Sequence, residues 1–227
     1  FVATLTNEPS HDILSKALTA LARLAHRGAV AADGKSSDGV GITTGIPRPF
    51  LLRGAGVTLA AHKPLAVGVL FFPQDDHASR LELEQALATR KLDVLCWRDV
   101  PVRVEALGEI ARASLPRLQQ VFITTSDPKD MERRLYLARK QFERSGADGY
   151  VCSMSEASMV YKAMCVGKLL PEFYPDLLDP EFKTPFAIFH QRYATNVLPS
   201  WNRAQPLRTP AHNGEINTVS GNTNWMK

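Results

Sequence analysis

Tyr150-Val151-Cys152-Ser153-Met154-Ser155-Glu156-Ala157-Ser158-Met159-Val160-Tyr161-Lys162-Ala163-Met164-Cys165 decides the fold class. Two runs rich in apolar residues, Tyr150–Ser155 and Ser158–Cys165, flank a short polar break, which is the pattern of two strands joined by a tight turn. The pair is expected to form a hairpin. Tight turns join antiparallel strands, whereas parallel strands need long crossovers. The expected class is therefore α+β.

Outward from this pair the chain is dense in regular elements. Residues 1–6 alternate as a strand, and 7–10 supply turn chemistry and a helix cap. Ile13, Leu14, Ala17, Leu18, Leu21, Leu24 and Ala25 recur at helical spacing, with Gly28 placed to stop that helix. Residues 32–39 read as a polar, Gly-rich loop and 40–46 as a strand. Strands are expected at 65–72, 92–97 and 120–125, and a helix capped by Asp75 or Asp76 runs to about Thr89. Asp127-Pro128 opens a helix whose buried stripe is Met131, Leu135, Ala138 and Phe142, and Gly146 ends it. After the strand pair come a short helix at 167–174, a strand at 186–190 and the start of a helix at 217–225. The chain reads as one domain, 1–227, with an α/β insertion at about 50–145.

Bulk composition excludes several classes. No apolar run approaches the roughly 18 residues that span a bilayer, and no basic-then-apolar leader is present, so neither a membrane nor secretion is expected. The three cysteines, Cys96, Cys152 and Cys165, are far apart and form no CxxC pair, which fits a reducing cytoplasm better than a disulfide framework. The net charge of +4 (27 Lys and Arg against 23 Asp and Glu) permits nucleic-acid binding, but the basic residues are spread along the chain. The densest group, Arg133, Arg134, Arg139 and Lys140, sits among acids on a helix, so no nucleic-acid partner is expected.

Two polar clusters near the end carry the chemistry: 190–196, His-Gln-Arg-Tyr-Ala-Thr-Asn, and 211–218, Ala-His-Asn-Gly-Glu-Ile-Asn-Thr. Such side chains are costly to bury unpaired, so each cluster is a satisfied turn network or a site. Arg192 could fork onto a carboxylate. Asn213 with Gly214 could offer a side-chain amide and an unhindered backbone N–H to one oxygen, the make-up of an oxyanion hole. His190, His212 and Glu215 invite a metal reading, but no helical ligand spacing supports it, and no metal is expected.

Three stretches, read together, resemble the class II glutamine amidotransferases, a family of N-terminal-nucleophile (Ntn) hydrolases. The resemblance is closest to the glutaminase part of glutamate synthase large subunits. The stretches are His26-Arg27-Gly28-Ala29 through Asp33-Gly34-Lys35 to Asp38-Gly39-Val40-Gly41-Ile42; the 151–155 and 160–162 segments; and 186–224, including Pro199-Ser200-Trp201, Ala204-Gln205-Pro206 and the 212–218 run. The resemblance implies a four-layer αββα sandwich and an enzyme that hydrolyses L-glutamine to glutamate and ammonia. It implies that Arg192 binds the α-carboxylate of glutamine with help from Thr195 and Asn196, that Tyr193 lies in a closing loop, and that Asn213 and Gly214 form the oxyanion hole. Arg27 would orient the nucleophile, or else serve the helix dipole as a C-terminal arginine. Asp38 is expected to hold its own Gly-rich loop.

In the family the nucleophile is an N-terminal cysteine whose own α-amine is the base. Phe1-Val2-Ala3 aligns a few residues after that cysteine, so the chain is expected to be truncated at both ends and silent by itself. The resemblance further implies channelling of ammonia to synthase domains that aminate 2-oxoglutarate. Those domains would carry FMN and an iron–sulfur cluster, neither held by these residues, and would work with an NADPH-type electron-donor subunit or ferredoxin. Two other readings stand beside it: a class II amidotransferase of asparagine, purine or amino-sugar synthesis, and a non-catalytic regulatory or interaction domain of the same fold.

Overall fold

The computed structural model describes residues 1–73, 77–194, 198–208 and 223–226. Its strands are β1 (Val2–Ala3), β2 (Ser36–Gly45), β3 (Ala66–Phe72), β4 (Asp93–Asp99), β5 (Arg117–Thr124), β6 (Tyr150–Ser155), β7 (Ser158–Cys165) and β8 (Phe186–Gln191). Its α-helices are α1 (His11–Arg23), α2 (Arg48–Ala55), α3 (His77–Ala88), α4 (Glu109–Ala113), α5 (Met131–Arg144) and α6 (Leu170–Phe173). The strands form two four-stranded sheets, ordered β1-β8-β2-β7 and β4-β5-β3-β6. Every neighbouring pair is antiparallel. α1 packs on β8 and β1, while α3 and α5 pack together against the second sheet. The result is the expected α+β sandwich, αββα.

The strand pair at 150–165 forms with the expected bounds, but it is not a hairpin. β6 pairs with β3 and β7 pairs with β2, so the turn at 156–157 is a corner between the two sheets. Serine hydroxyls divert the donors. Ser153 Oγ accepts the Val160 N–H at 3.1 Å, and Ser155 Oγ accepts the N–H of Ala157 at 2.9 Å and of Ser158 at 3.3 Å. Local side-chain acceptors compete in this way with ladder bonds.

β3 shows why the middle of the chain reads as buried strand. Val67, Val69 and Phe71 join the larger apolar cluster, which also includes Ile13, Leu14, Ala17 and Leu21 of α1 and Ile42 and Tyr161 of the first sheet. Ala66, Leu70 and Phe72 join a second cluster with Leu83 and Leu87 of α3 and Leu135 and Phe142 of α5. Burial on both faces gives a continuous apolar run, and each large side chain so buried contributes about 1.5–3 kcal/mol. Residues 50–145 thus supply three of the four strands of the second sheet, and β6 completes it.

A polar strut joins the sheets. Arg98 on β4 donates to Asp176 through Nη1 and Nη2, both at 2.8 Å, and to Gln120 Oε1 at 2.7 Å. Tyr161 on β7 donates to Asp176 Oδ2 at 2.7 Å and accepts from Gln120 Nε2 at 3.1 Å. Burial works against the Arg98 charge, but the Asp176 carboxylate outweighs it and holds the guanidinium pKa above its ordinary value.

Three of the boundaries that differ from expectation have a visible cause. β2 starts at Ser36, inside the stretch read as loop, because Ser36 and Ser37 are buried and bonded to Asp33 and to the Cys165 carbonyl. α5 starts at Met131 rather than at Pro128. Thr125 and Asp127 first spend their side chains on the N–H groups of Asp127 and Lys129, and Asp130 is left-handed at φ 54°. α1 ends at Arg23, followed by a 3₁₀ turn, Ala25–Arg27. Gly28 has φ −119°, so it is not a left-handed stop.

Candidate active site

Gly28 serves close packing instead. A Cβ there would sit 2.6 Å from Gln191 Cγ and 2.7 Å from its Cδ. The chain beside Arg27 therefore lies directly against the end of β8, from which Arg192 emerges. Arg27 is exposed, and its side chain has no hydrogen-bond partner among the described residues.

Arg192 is set by β2. Its N–H donates to the Gly39 carbonyl at 2.8 Å, one step beyond the β2–β8 ladder. Its guanidinium Nη1 donates to the Asp38 carbonyl at 3.1 Å. The Asp38 carboxylate accepts the Ala194 N–H at 2.6 Å. Asp38 thus holds the loop of Arg192 rather than its own, a correction to the expected role. Partial burial lowers the Arg192 pKa from its ordinary value, Asp38 opposes that shift, and Arg203 adds to it. A guanidinium remains charged at these values, with donors left for an anionic ligand. Tyr193, next in the chain, is 63% exposed. Thr195, Asn196, His212, Asn213, Gly214 and Glu215 lie outside the described residues.

A segment that carried the resemblance but was given no role of its own completes the surroundings. Trp201 to Gln205 crosses β2 at two glycines. A Cβ at Gly39 would meet Ala204 Cβ at 2.6 Å, and one at Gly41 would meet the Gln205 carbonyl oxygen at 2.6 Å. Glycines inside a strand mark such close backbone approach, and that signal was available. Lys162 of β7, 1% exposed, donates to the carbonyls of Asn202 and Ala204 at 2.9 and 2.8 Å. Arg208 donates to the Val151 carbonyl at 3.0 Å and to Glu143 at 2.8 Å.

The cysteines are poorly suited to attack. Cys152 and Cys165 are buried, and burial pushes the Cys152 thiol up to about 12 and raises that of Cys165 as well. Among the described residues no group of three or more His, Cys, Asp or Glu could hold a metal ion. The three cysteines are free, and they do not fit an iron–sulfur cluster. Among the described residues no helix is long and apolar enough to cross a membrane.

The model of the class-II glutamine amidotransferases matches residues 1–227. The chain belongs to this family. The rice chloroplastic ferredoxin-dependent glutamate synthase is 41% identical over 242 residues, covering 100% of this chain and 15% of its own length. The glutamate synthase [NADPH] large chain of Azospirillum brasilense is 40% identical over 241 residues, covering 100% of this chain and 16% of its own length. That of Bacillus subtilis is 40% identical over 237 residues, covering 99% and 16%. This class II amidotransferase chain thus spans 15–16% of the length of these relatives. The αββα sandwich is the Ntn fold of its family.

Proposed function

We propose that the chain is the glutaminase part of a glutamate synthase, over 1–227 as one domain, and that its site hydrolyses L-glutamine to glutamate and ammonia. The observation that carries this reading is the Arg192 loop. A charged guanidinium is braced by Asp38 and Gly39 at the open end of β8, with donors to spare for a carboxylate.

The register of β1 supports the location. Val2 pairs with Ala187 and Ala3 with Phe186. β1 thus sets the start of the described chain alongside the strand from which Arg192 emerges, and the resemblance puts the nucleophilic cysteine a few residues before Phe1. Cys96, Cys152 and Cys165 lack a free α-amine, and the latter two are buried.

In the proposed reaction the α-amine of the cysteine takes the thiol proton, and sulfur attacks the side-chain amide carbon of glutamine. Asn213 and Gly214 stabilise the oxyanion, while Arg27 orients the nucleophile. Collapse of the tetrahedral species breaks the C–N bond, and ammonia leaves with the transferred proton. Water then cleaves the γ-glutamyl thioester. Arg192, Tyr193, Thr195 and Asn196 hold the substrate throughout.

Ammonia would pass to synthase domains that form glutamate from 2-oxoglutarate, where FMN and an iron–sulfur cluster would reside. The electron donor would be an NADPH-type subunit or ferredoxin, since relatives of both kinds match equally well. The three free cysteines support a cytoplasmic location. The test is glutamate and ammonia release from glutamine by the full-length protein, with its mature N-terminal residue read by mass spectrometry. Release together with an N-terminal cysteine supports the reading. A non-cysteine mature terminus would favour a non-catalytic domain.

A further inference from the structure

Lys162 is a buried ammonium without a carboxylate among its described partners. Its three donors go to Tyr150 Oη at 3.1 Å and to the carbonyls of Asn202 and Ala204. Its Nζ lies 4.5 Å from the Tyr150 ring centroid and 5.9 Å from that of Phe71. Burial lowers its pKa to about 8, a cost that a purely structural apolar residue would avoid.

The two carbonyls it holds flank Arg203. Arg203 donates to the Leu198 carbonyl at 3.0 Å, and its charge acts on Arg192. Ala204 rests on Gly39, whose carbonyl takes the Arg192 N–H. The neighbouring Asp38 carbonyl takes the Arg192 guanidinium. A continuous set of contacts therefore runs from Lys162 through Asn202–Ala204 and Asp38–Gly39 to Arg192.

We propose that Lys162 is a positioning residue for the substrate clamp: it pins the Trp201–Gln205 segment on β2 and thereby sets the orientation of Arg192. This inference rests on the reading of Arg192 as the group that binds the carboxylate of glutamine. Lysine suits the task because one ammonium holds two carbonyls from alternate residues and a phenol oxygen at once, whereas methionine of similar length holds none.

The test is Lys162→Met in the full-length protein. The KM for glutamine should rise about tenfold, with kcat at saturating glutamine held within about threefold, since misplacing a binding group costs affinity for the end it grips. Hydrogen exchange in peptides covering 201–205 should quicken, while β2 and β7 stay protected. An unchanged KM in the folded variant would overturn the proposal. A Lys162→Met protein that fails to fold would also count against it, since Lys162 would then be a requirement of the core. Absence of glutamine turnover in the unsubstituted protein would instead remove the reading of the site on which the inference rests.

Discussion

Asp38 holds Arg192 and its loop through two different groups: its main-chain carbonyl takes the guanidinium at 3.1 Å, and its carboxylate takes the N–H of Ala194 at 2.6 Å. The first contact aims the arginine and the second shapes the turn that carries it. Hydrogen bonds to charged groups are worth about 1.5–3 kcal/mol. Asp38→Ala should therefore raise the KM for glutamine by roughly tenfold while leaving β2 intact. Steady-state kinetics on the full-length protein check this, and an unaltered KM would mean that the loop holds its shape without Asp38.

Gly28 should not tolerate a side chain. A methyl group there meets Gln191 at 2.6–2.7 Å, well inside contact distance. Overpacking of this kind costs about 1–3 kcal/mol, which for a chain of this size lowers the Tm by several degrees, at about 2–4 °C per kcal/mol. Thermal unfolding of Gly28→Ala reads the effect. A Tm equal to that of the unsubstituted chain would show that Gln191 moves aside freely.

The Arg98–Asp176 strut makes an asymmetric prediction. Asp176→Ala strands a buried guanidinium and should cost about 3–5 kcal/mol, whereas Arg98→Met combined with Asp176→Leu removes both charges and should cost less. Denaturant unfolding of the single and double variants measures the difference. A double variant less stable than Asp176→Ala would contradict the account.

Lys162 and Cys152 respond oppositely to alkali. Lys162 titrates near 8 when folded against 10.5 ordinarily, so between those values only the unfolded chain binds its proton, and stability rises with pH. Cys152 titrates near 12 against 9.0, so its contribution is complete below about 9 and declines as pH climbs toward 12. The groups facing Lys162 are Tyr150, itself raised to about 12 chiefly by burial, Cys152 and Arg208. Relative to Lys162→Met, the unsubstituted chain should gain up to about 3 kcal/mol between pH 8 and 10.5. Unfolding free energies measured across that window check the sign, and a gap that narrows with rising pH would refute it.

Much of this was legible beforehand. The apolar runs of β6 and β7, the helical stripes of α1 and α5, and Arg192 at a strand end all follow from local pattern. What local pattern could not supply was partnership. Ser153 and Ser155 look like ordinary strand residues, yet their hydroxyls turn an expected hairpin into a corner between sheets. Gly28 carries the signature of a helix stop but is small because Gln191 abuts it. Nothing in the local pattern around Lys162 announces the segment forty residues later that folds over it. Asn213 and Gly214, which lie outside the described residues, were named through the family resemblance, since local pattern by itself favoured a turn network.

The central claim is that Arg192 grips the carboxylate of glutamine, and Arg192→Ala in the full-length protein tests it most directly. Truncating one partner of a desolvated charge pair costs about 2–5 kcal/mol, so the KM for glutamine should rise at least about thirtyfold. Glutamate formation from supplied ammonia serves as the internal control for an intact synthase. A large rise in KM with that control preserved is the predicted result. Glutamine kinetics identical to those of the unsubstituted protein would contradict it.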